Sequence, residues 1–147
     1  AAEVRQLIED SPVYGPRYEL IDGKLLVSPS PRIAHQRAVK WLTVAIDPYV
    51  VREAVGELLA SPADLTLRPE TISQPDLFVI PGEQGRVRAW TDVSRITLSS
   101  EVLSPSLLAT IASGIVTDLL IWQPIGAASP LTLELSVLWT AVGLDPE

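Results

Sequence analysis

Two carboxylates stand where a buried chain changes course. Gln74-Pro75-Asp76 opens an apolar run, Leu77-Phe78-Val79-Ile80, that ends at Pro81-Gly82, and a second run, Ile96 to Val102, carries Glu101 and stops at Ser104-Pro105-Ser106. An acid at the mouth of one buried strand and another inside the next can meet at a single metal ion. Carboxylates and waters suit Mg²⁺, a hard cation held by one or two protein acids together with substrate phosphates. Such an ion polarises a phosphoryl oxygen and lowers the pKa of a bound water, so phosphodiester hydrolysis is the chemistry the pair would serve.

Each acid also has a plainer reading. Asp after Pro is common where chains turn, and on composition alone that is the better account of Asp76. Glu101 is harder to explain as structure: Ile96, Leu98, Val102 and Leu103 of its run are apolar, and Glu is depleted in strands and rarely fully buried unless paired. Strand alternation puts it on the face of Ser99 and Leu103, so an edge strand could still turn it to solvent.

Other chemistries are closed off. Without cysteine the chain has neither disulfides nor thiolate metal ligands, and His35, the single histidine, cannot build a zinc site alone. Ser104 and Ser106 lack the Gly-x-Ser-x-Gly elbow of a serine hydrolase. Gly82-Glu83-Gln84-Gly85 lacks the Lys-Ser/Thr of a phosphate-binding loop. The net charge of −7 argues against nonspecific coating of nucleic acid. It leaves room for a local basic patch, for which Arg32, Arg37, Lys40, Arg86, Arg88 and Arg95 are the candidates, with an ordinary solvated surface as their plainer reading. All 11 Lys and Arg lie within residues 1–95, whereas residues 96–147 hold no base.

The elements that must position these groups follow from periodicity. Val4, Leu7 and Ile8 predict a short amphipathic helix from Ala2 to Asp10, ended by Ser11-Pro12. Tyr18 to Ile21 and Leu25 to Val27 read as a hairpin about Asp22-Gly23-Lys24, and Ser28-Pro29-Ser30-Pro31 as a stiff connector. From Ile33 a long helix buries Ala34, Ala38, Trp41, Leu42, Ala45 and Tyr49. Pro48 either kinks it or starts a new one behind Asp47, and Gly56 is expected to close it. Glu57 to Ala60, Ala63 to Leu67, Leu107 to Ile111, Ile115 to Trp122 and Leu131 to Leu135 read as strands, Pro81 to Arg88 as a polar loop, and Val137-Leu138-Trp139 as core closure. A length of 147 residues is most simply one domain. With neither a signal peptide nor a membrane span, a cytoplasmic address is expected.

Several of these pieces occur together in an order that resembles the Uma family of restriction-endonuclease-like proteins, within the PD-(D/E)xK nuclease superfamily. They are Tyr18-Glu19-Leu20-Ile21-Asp22-Gly23-Lys24, Ser28-Pro29-Ser30-Pro31, His35-Gln36, Gly56-Glu57, Pro62-Ala63-Asp64, Gln74-Pro75-Asp76 and Glu101-Val102-Leu103-Ser104-Pro105-Ser106. The resemblance covers about residues 14–106 and is far more specific as an ordered set than any one motif. It implies that Asp76 and Glu101 are metal ligands, and that Glu19, on the family's recurrent glutamate, is an outer acid of the same site. His35 matches a recurrent histidine to which no role is assigned.

The family pattern then continues with a helix carrying a lysine, a Gly-Val turn and a central strand of the Tyr-Trp-Ile-Val-Asp kind. Here the last lysine is Lys40, and the stretch from Leu107 is similar to the far C-terminal end of family members. A few dozen residues are therefore expected to be missing between Ser106 and Leu107. Either the protein carries residues that this sequence omits, or its gene has an internal deletion. The first is the expectation, because deleting a helix and a central strand would strip the core and expose sheet edges.

The expectation is thus an α/β (α+β) restriction-endonuclease-like core, a mixed β-sheet with a long helix packed on it, spanning 1–147 as one domain with a gap near 106/107. By resemblance it is a nuclease acting on nucleic acid, DNA before RNA, through Mg²⁺ or Mn²⁺ held by Asp76 and Glu101 with Glu19 beside them, and a homodimer. The rival is a catalytically inactive nuclease-fold binding or scaffold protein, and a further one is a plain structural domain that binds no metal.

Overall fold

The computed structural model describes residues 1–12, 15–28, 32–102 and 118–142. Helix α1 (Ala2–Asp10) turns Val4 inward, and Val4 with Ile8 packs on Leu20 and Ile72. Extended backbone at Ser11 stops the helix, and Pro12 could not have continued it. Strands β1 (Arg17–Ile21) and β2 (Lys24–Ser28) form the expected antiparallel hairpin. Its turn is the two residues Asp22 and Gly23, at φ 48 and 77, the pair of positive angles that suits the right-handed strand twist. Lys24 therefore belongs to the second strand and not to the turn.

Helix α2 (Ile33–Arg52) runs through Pro48 without a break. Proline deprives the carbonyl four residues back of its partner. That residue is Val44, 67% exposed, so water can serve the carbonyl and the helix continues. Ala38, Leu42, Ile46, Tyr49 and Val50 form its buried face.

The end of α2 differs from expectation. The N–H of Ala54 donates to Val51 O and that of Val55 to Val50 O, both at 3.2 Å, with Ala54 at φ 53. This is the Schellman closure with alanine in the left-handed position that glycine usually takes. Gly56 instead opens the next strand, where an added Cβ would fall on the carbonyl oxygen of Ile80. Close approach of two strands, not helix capping, is what requires glycine there.

Strands β3 (Gly56–Ala60), β4 (Leu65–Arg68), β5 (Thr71–Ser73), β6 (Leu77–Pro81) and β7 (Leu98–Ser100) follow. β5 escapes the sequence pattern because three residues are too few to show a period. It pairs back on β4 across a tight turn with Glu70 at φ 58. One sheet has the order β2-β1-β5-β4 and another β3-β6-β7.

β6 is buried along its whole length. Leu77 and Val79 face the cluster of α2, while Phe78 and Ile80 face Ala63, Leu65 and Val93. Each such side chain contributes about 1.5–3 kcal/mol of burial, so β6 anchors both halves of the core. β7 is shorter than the Ile96 to Val102 run, and Glu101 lies just past its end rather than inside it. Ser100 pairs with Leu77, where β6 begins, and Val102 N–H turns to the Asp76 side chain instead of a ladder.

Strands β8 (Leu119–Trp122) and β9 (Leu131–Glu134) form a separate hairpin, and α3 (Leu135–Val142) completes the described chain. Val137-Leu138-Trp139 is helical. Leu135, Leu138 and Val142 are its buried residues, joining the α2 cluster. The α+β class with a long helix on a sheet stands, and every described strand pairing is antiparallel. The expected strand at Leu107 to Ile111, the start of the one at Ile115, Pro29 to Pro31, and the Ser106 to Leu107 junction all lie outside the described residues. No helix among the described residues is long and apolar enough to cross a membrane.

Candidate active site

Strand alternation places Arg17 and Glu19 on the same face of β1. That face meets the corner that leads into β6. Glu19 is 2% exposed, and its Oε1 accepts the backbone N–H of Gln74 at 2.7 Å. The same corner is pinned from its other side, where Ser61 Oγ donates to Pro75 O at 2.7 Å and Ser61 N–H to Asp76 O at 3.1 Å. Gln74 Nε2 in turn donates to Asp64 Oδ1.

Asp76, 3% exposed, stands at the centre. Its Oδ1 accepts from Arg17 Nη2 at 2.7 Å, and its Oδ2 from Val102 N–H at 2.8 Å, with His35 Nε2 at 2.9 Å. Burial pushes its carboxyl up, but the hydrogen bonds of His35 and Val102, with the charge and hydrogen bond of Arg17, outweigh it and hold the pKa below the usual aspartate value. A turn aspartate bonds its own backbone two residues on. Asp76 instead gathers β1, α2 and the segment after β7.

Glu101 joins the same cluster. Desolvation, then the charges of Glu19 and Asp76, push its carboxyl up to about 7, against the partial relief of Arg17 and His35. The residue as a whole remains exposed. Three acids from three separate strands or strand ends thus share one electrostatic neighbourhood. The sequence named all three; the charges of Glu19 and Asp76 both act on Glu101.

A histidine and an arginine complete the cluster. His35, in the first turn of α2, has its role as a partner of Asp76, and its Nδ1 is buried with no hydrogen-bond partner among the described residues. Arg17 was overlooked. Its Nη1 donates to Gln74 O at 2.8 Å while Nη2 holds Asp76. The signal that could have found it is its spacing, two residues before Glu19 on a strand. The basic residues that the sequence did single out, Arg32, Arg37, Lys40, Arg86, Arg88 and Arg95, are all exposed, and none is among the charges that shift Asp76 or Glu101. Ser104 and Ser106 lie outside the described residues.

A cleft of about 440 Å³ opens beside Asp76, lined by Arg17, Tyr18, His35, Gln36, Ser61 and Gln74. A larger hollow of about 700 Å³ along Gly56, Ile80 and Arg86 contains none of the three acids. The size of the second does not make it the site, because Asp76 and its partners Arg17 and His35 line the first.

Carboxylate oxygens suit a hard divalent cation, and no positive group is hydrogen-bonded to Glu101 among the described residues. Among those residues no set of three or more His, Cys, Asp and Glu stands ready to hold a metal. Asp76 has both oxygens engaged, so a cation arriving at Glu101 would have to take one of them from Arg17 or His35. The donor chemistry fits Mg²⁺ on that condition. A family model whose description reads "Uma2: Putative restriction endonuclease" matches residues 3–110. No curated protein matches the chain.

Proposed function

Because the chain belongs to the Uma2 restriction-endonuclease family, we propose that it is a metal-dependent nuclease hydrolysing phosphodiester bonds of nucleic acid, DNA foremost, at the cluster of Glu19, Asp76 and Glu101. The observation that carries this reading is buried Asp76 at the cleft, bonded by Arg17, His35 and Val102 N–H, with the Glu101 carboxyl pushed up by burial and by the charges of Glu19 and Asp76. A fold gains nothing from that repulsion, whereas a site for a cation and a phosphate does.

In this reading Asp76 and Glu101 hold Mg²⁺, with Mn²⁺ as a substitute. The ion, when bound, supplies Lewis-acid polarisation of the phosphoryl group and a more acidic water. Val102 N–H and His35 keep the Asp76 carboxylate ionised and oriented. Glu19 fixes the corner through Gln74 and adds negative charge beside Glu101. The action is placed in the cytoplasm and the working unit is taken as a homodimer.

Calorimetric titration with Mg²⁺ and Mn²⁺ and cleavage of plasmid DNA and of RNA test the reading. The wild type is expected to bind and cleave, and Asp76→Asn and Glu101→Gln to lose both. Cleavage that survives in both variants would remove the site. A second reading, an inactive nuclease-fold binding or scaffold protein, is favoured by one feature: Asp76 already has Arg17, His35 and Val102 N–H on its oxygens. It predicts nucleic-acid binding with no cleavage and no calorimetric metal binding.

A further inference from the structure

The cleft beside Asp76 lies in the field of buried Glu19 and Asp76 and of the Glu101 carboxyl. Some permanent positive charge must offset them if a phosphodiester is to settle there. Among the charges that act on both Asp76 and Glu101, one belongs to a group that stays protonated at every working pH, Arg17.

Its geometry is that of a held but unfinished fork. Nη1 is committed to Gln74 O and Nη2 to Asp76 Oδ1, which uses two of the five N–H donors of a guanidinium. The side chain is still 20% exposed, and the residue lines the cleft of about 440 Å³ together with His35, Gln36 and Ser61. A planar fork held by two protein acceptors, with donors to spare on a residue that lines an open cleft, suits the tetrahedral oxygens of a phosphate.

We propose that Arg17 is the phosphate-binding residue of this site, its guanidinium receiving a non-bridging oxygen of a nucleic-acid phosphate in the cleft between α1, β1 and the first turn of α2. The proposal rests on the nuclease reading for the identity of the ligand. It goes beyond it in assigning the contact to a residue of β1 rather than to the basic residues of α2 and the 81–95 loop.

The test uses a fluorescein-labelled 20-base-pair duplex in Ca²⁺, read by anisotropy over a series of salt concentrations, with wild type, Arg17→Gln and Arg17→Lys. Loss of one phosphate contact is expected to flatten the slope of log affinity against log salt by about 0.9 in Arg17→Gln, alike for duplexes of different sequence. Arg17→Lys, which keeps the charge, is expected to restore the slope. An unchanged slope in Arg17→Gln, or a wild type that binds no duplex, overturns the proposal.

Should Arg17→Gln fail to fold, the wild type still decides. The Nε–H resonance of Arg17, assigned by its disappearance in Arg17→Lys, is expected to shift on titration with the duplex, and a stationary resonance overturns the proposal. Cleavage is read separately in Mg²⁺. A shifted slope or resonance without any cleavage sinks the nuclease reading alone, and cleavage that needs Asp76 and Glu101 with neither shift sinks the Arg17 assignment alone.

Discussion

Asp76 and Glu101 are the same kind of group in opposite circumstances. Asp76 is buried and satisfied by Arg17, His35 and Val102 N–H; Glu101 is crowded by Glu19 and Asp76 and pushed upward. Removing the first should therefore harm the fold and removing the second should not. Asp76→Ala leaves the Arg17 guanidinium without its counter-charge, and breaking a buried pair on one side costs about 3–5 kcal/mol, to be read in urea denaturation. Glu101→Gln removes a like charge from the cluster, so its melting temperature should equal or exceed that of the wild type while cleavage is lost. A Glu101→Gln protein that melts well below the wild type would mean that the carboxylate is structural.

The elements hold the cluster by their ends. α2 brings His35 at its start, and its far end is fixed by Glu53, which accepts from Ala128 N–H at 2.7 Å, and by Tyr49 Oη donating to Ser129 O at 2.6 Å. The hydrogen bond from Ala128, then that from Arg52, hold the Glu53 carboxyl below the usual glutamate range. A depressed carboxylate contributes stability that is present above its unfolded pKa and is lost as pH falls through its folded one. Stability should thus decline below about pH 4.5, and Glu53→Gln should flatten that part of the profile while leaving cleavage at neutral pH intact. The Schellman turn offers a second check. Ala54 sits in the left-handed region, where a Cβ costs about 1–2 kcal/mol. Ala54→Gly should therefore stabilise the protein by about 1 kcal/mol in denaturant unfolding, part of the gain being offset by the freer unfolded chain.

At the scale of the molecule, the join after Ser106 is tested by mass. The resemblance implies a lysine-bearing helix and a strand of the Tyr-Trp-Ile-Val-Asp kind there, whereas this sequence has no lysine after Lys40. If the protein holds residues that the sequence omits, the intact mass of the purified chain will exceed 15.9 kDa by a few dozen residues. A mass equal to that value would mean a true internal deletion. Arg17 would then be the fixed cation left to the acids, and the slope measurement on Arg17→Gln would gain weight accordingly.

The sequence by itself determined what is local or ordered along the chain. The α1 stripe, the Asp22-Gly23 hairpin, the long helix from Ile33 and the buried run of β6 follow from periodicity and turn chemistry, because those depend on neighbours within a few residues. Asp76, Glu101 and Glu19 were legible as members of an ordered set of motifs. Only the tertiary structure decided what depends on contacts far apart in sequence. Pro48 is tolerated because Val44 faces water, Gly56 is required by Ile80 across a strand pair, and the segment from Leu135 is helical because its apolar residues meet α2. Arg17 belongs to the site for the same reason. Its neighbours in the sequence make it one residue of a hairpin, and it becomes part of the acid cluster only where β1 meets the Gln74 to Asp76 corner, 57 and 59 residues away. Periodicity sets which face a side chain takes, whereas its partner is set by which faces the fold brings together.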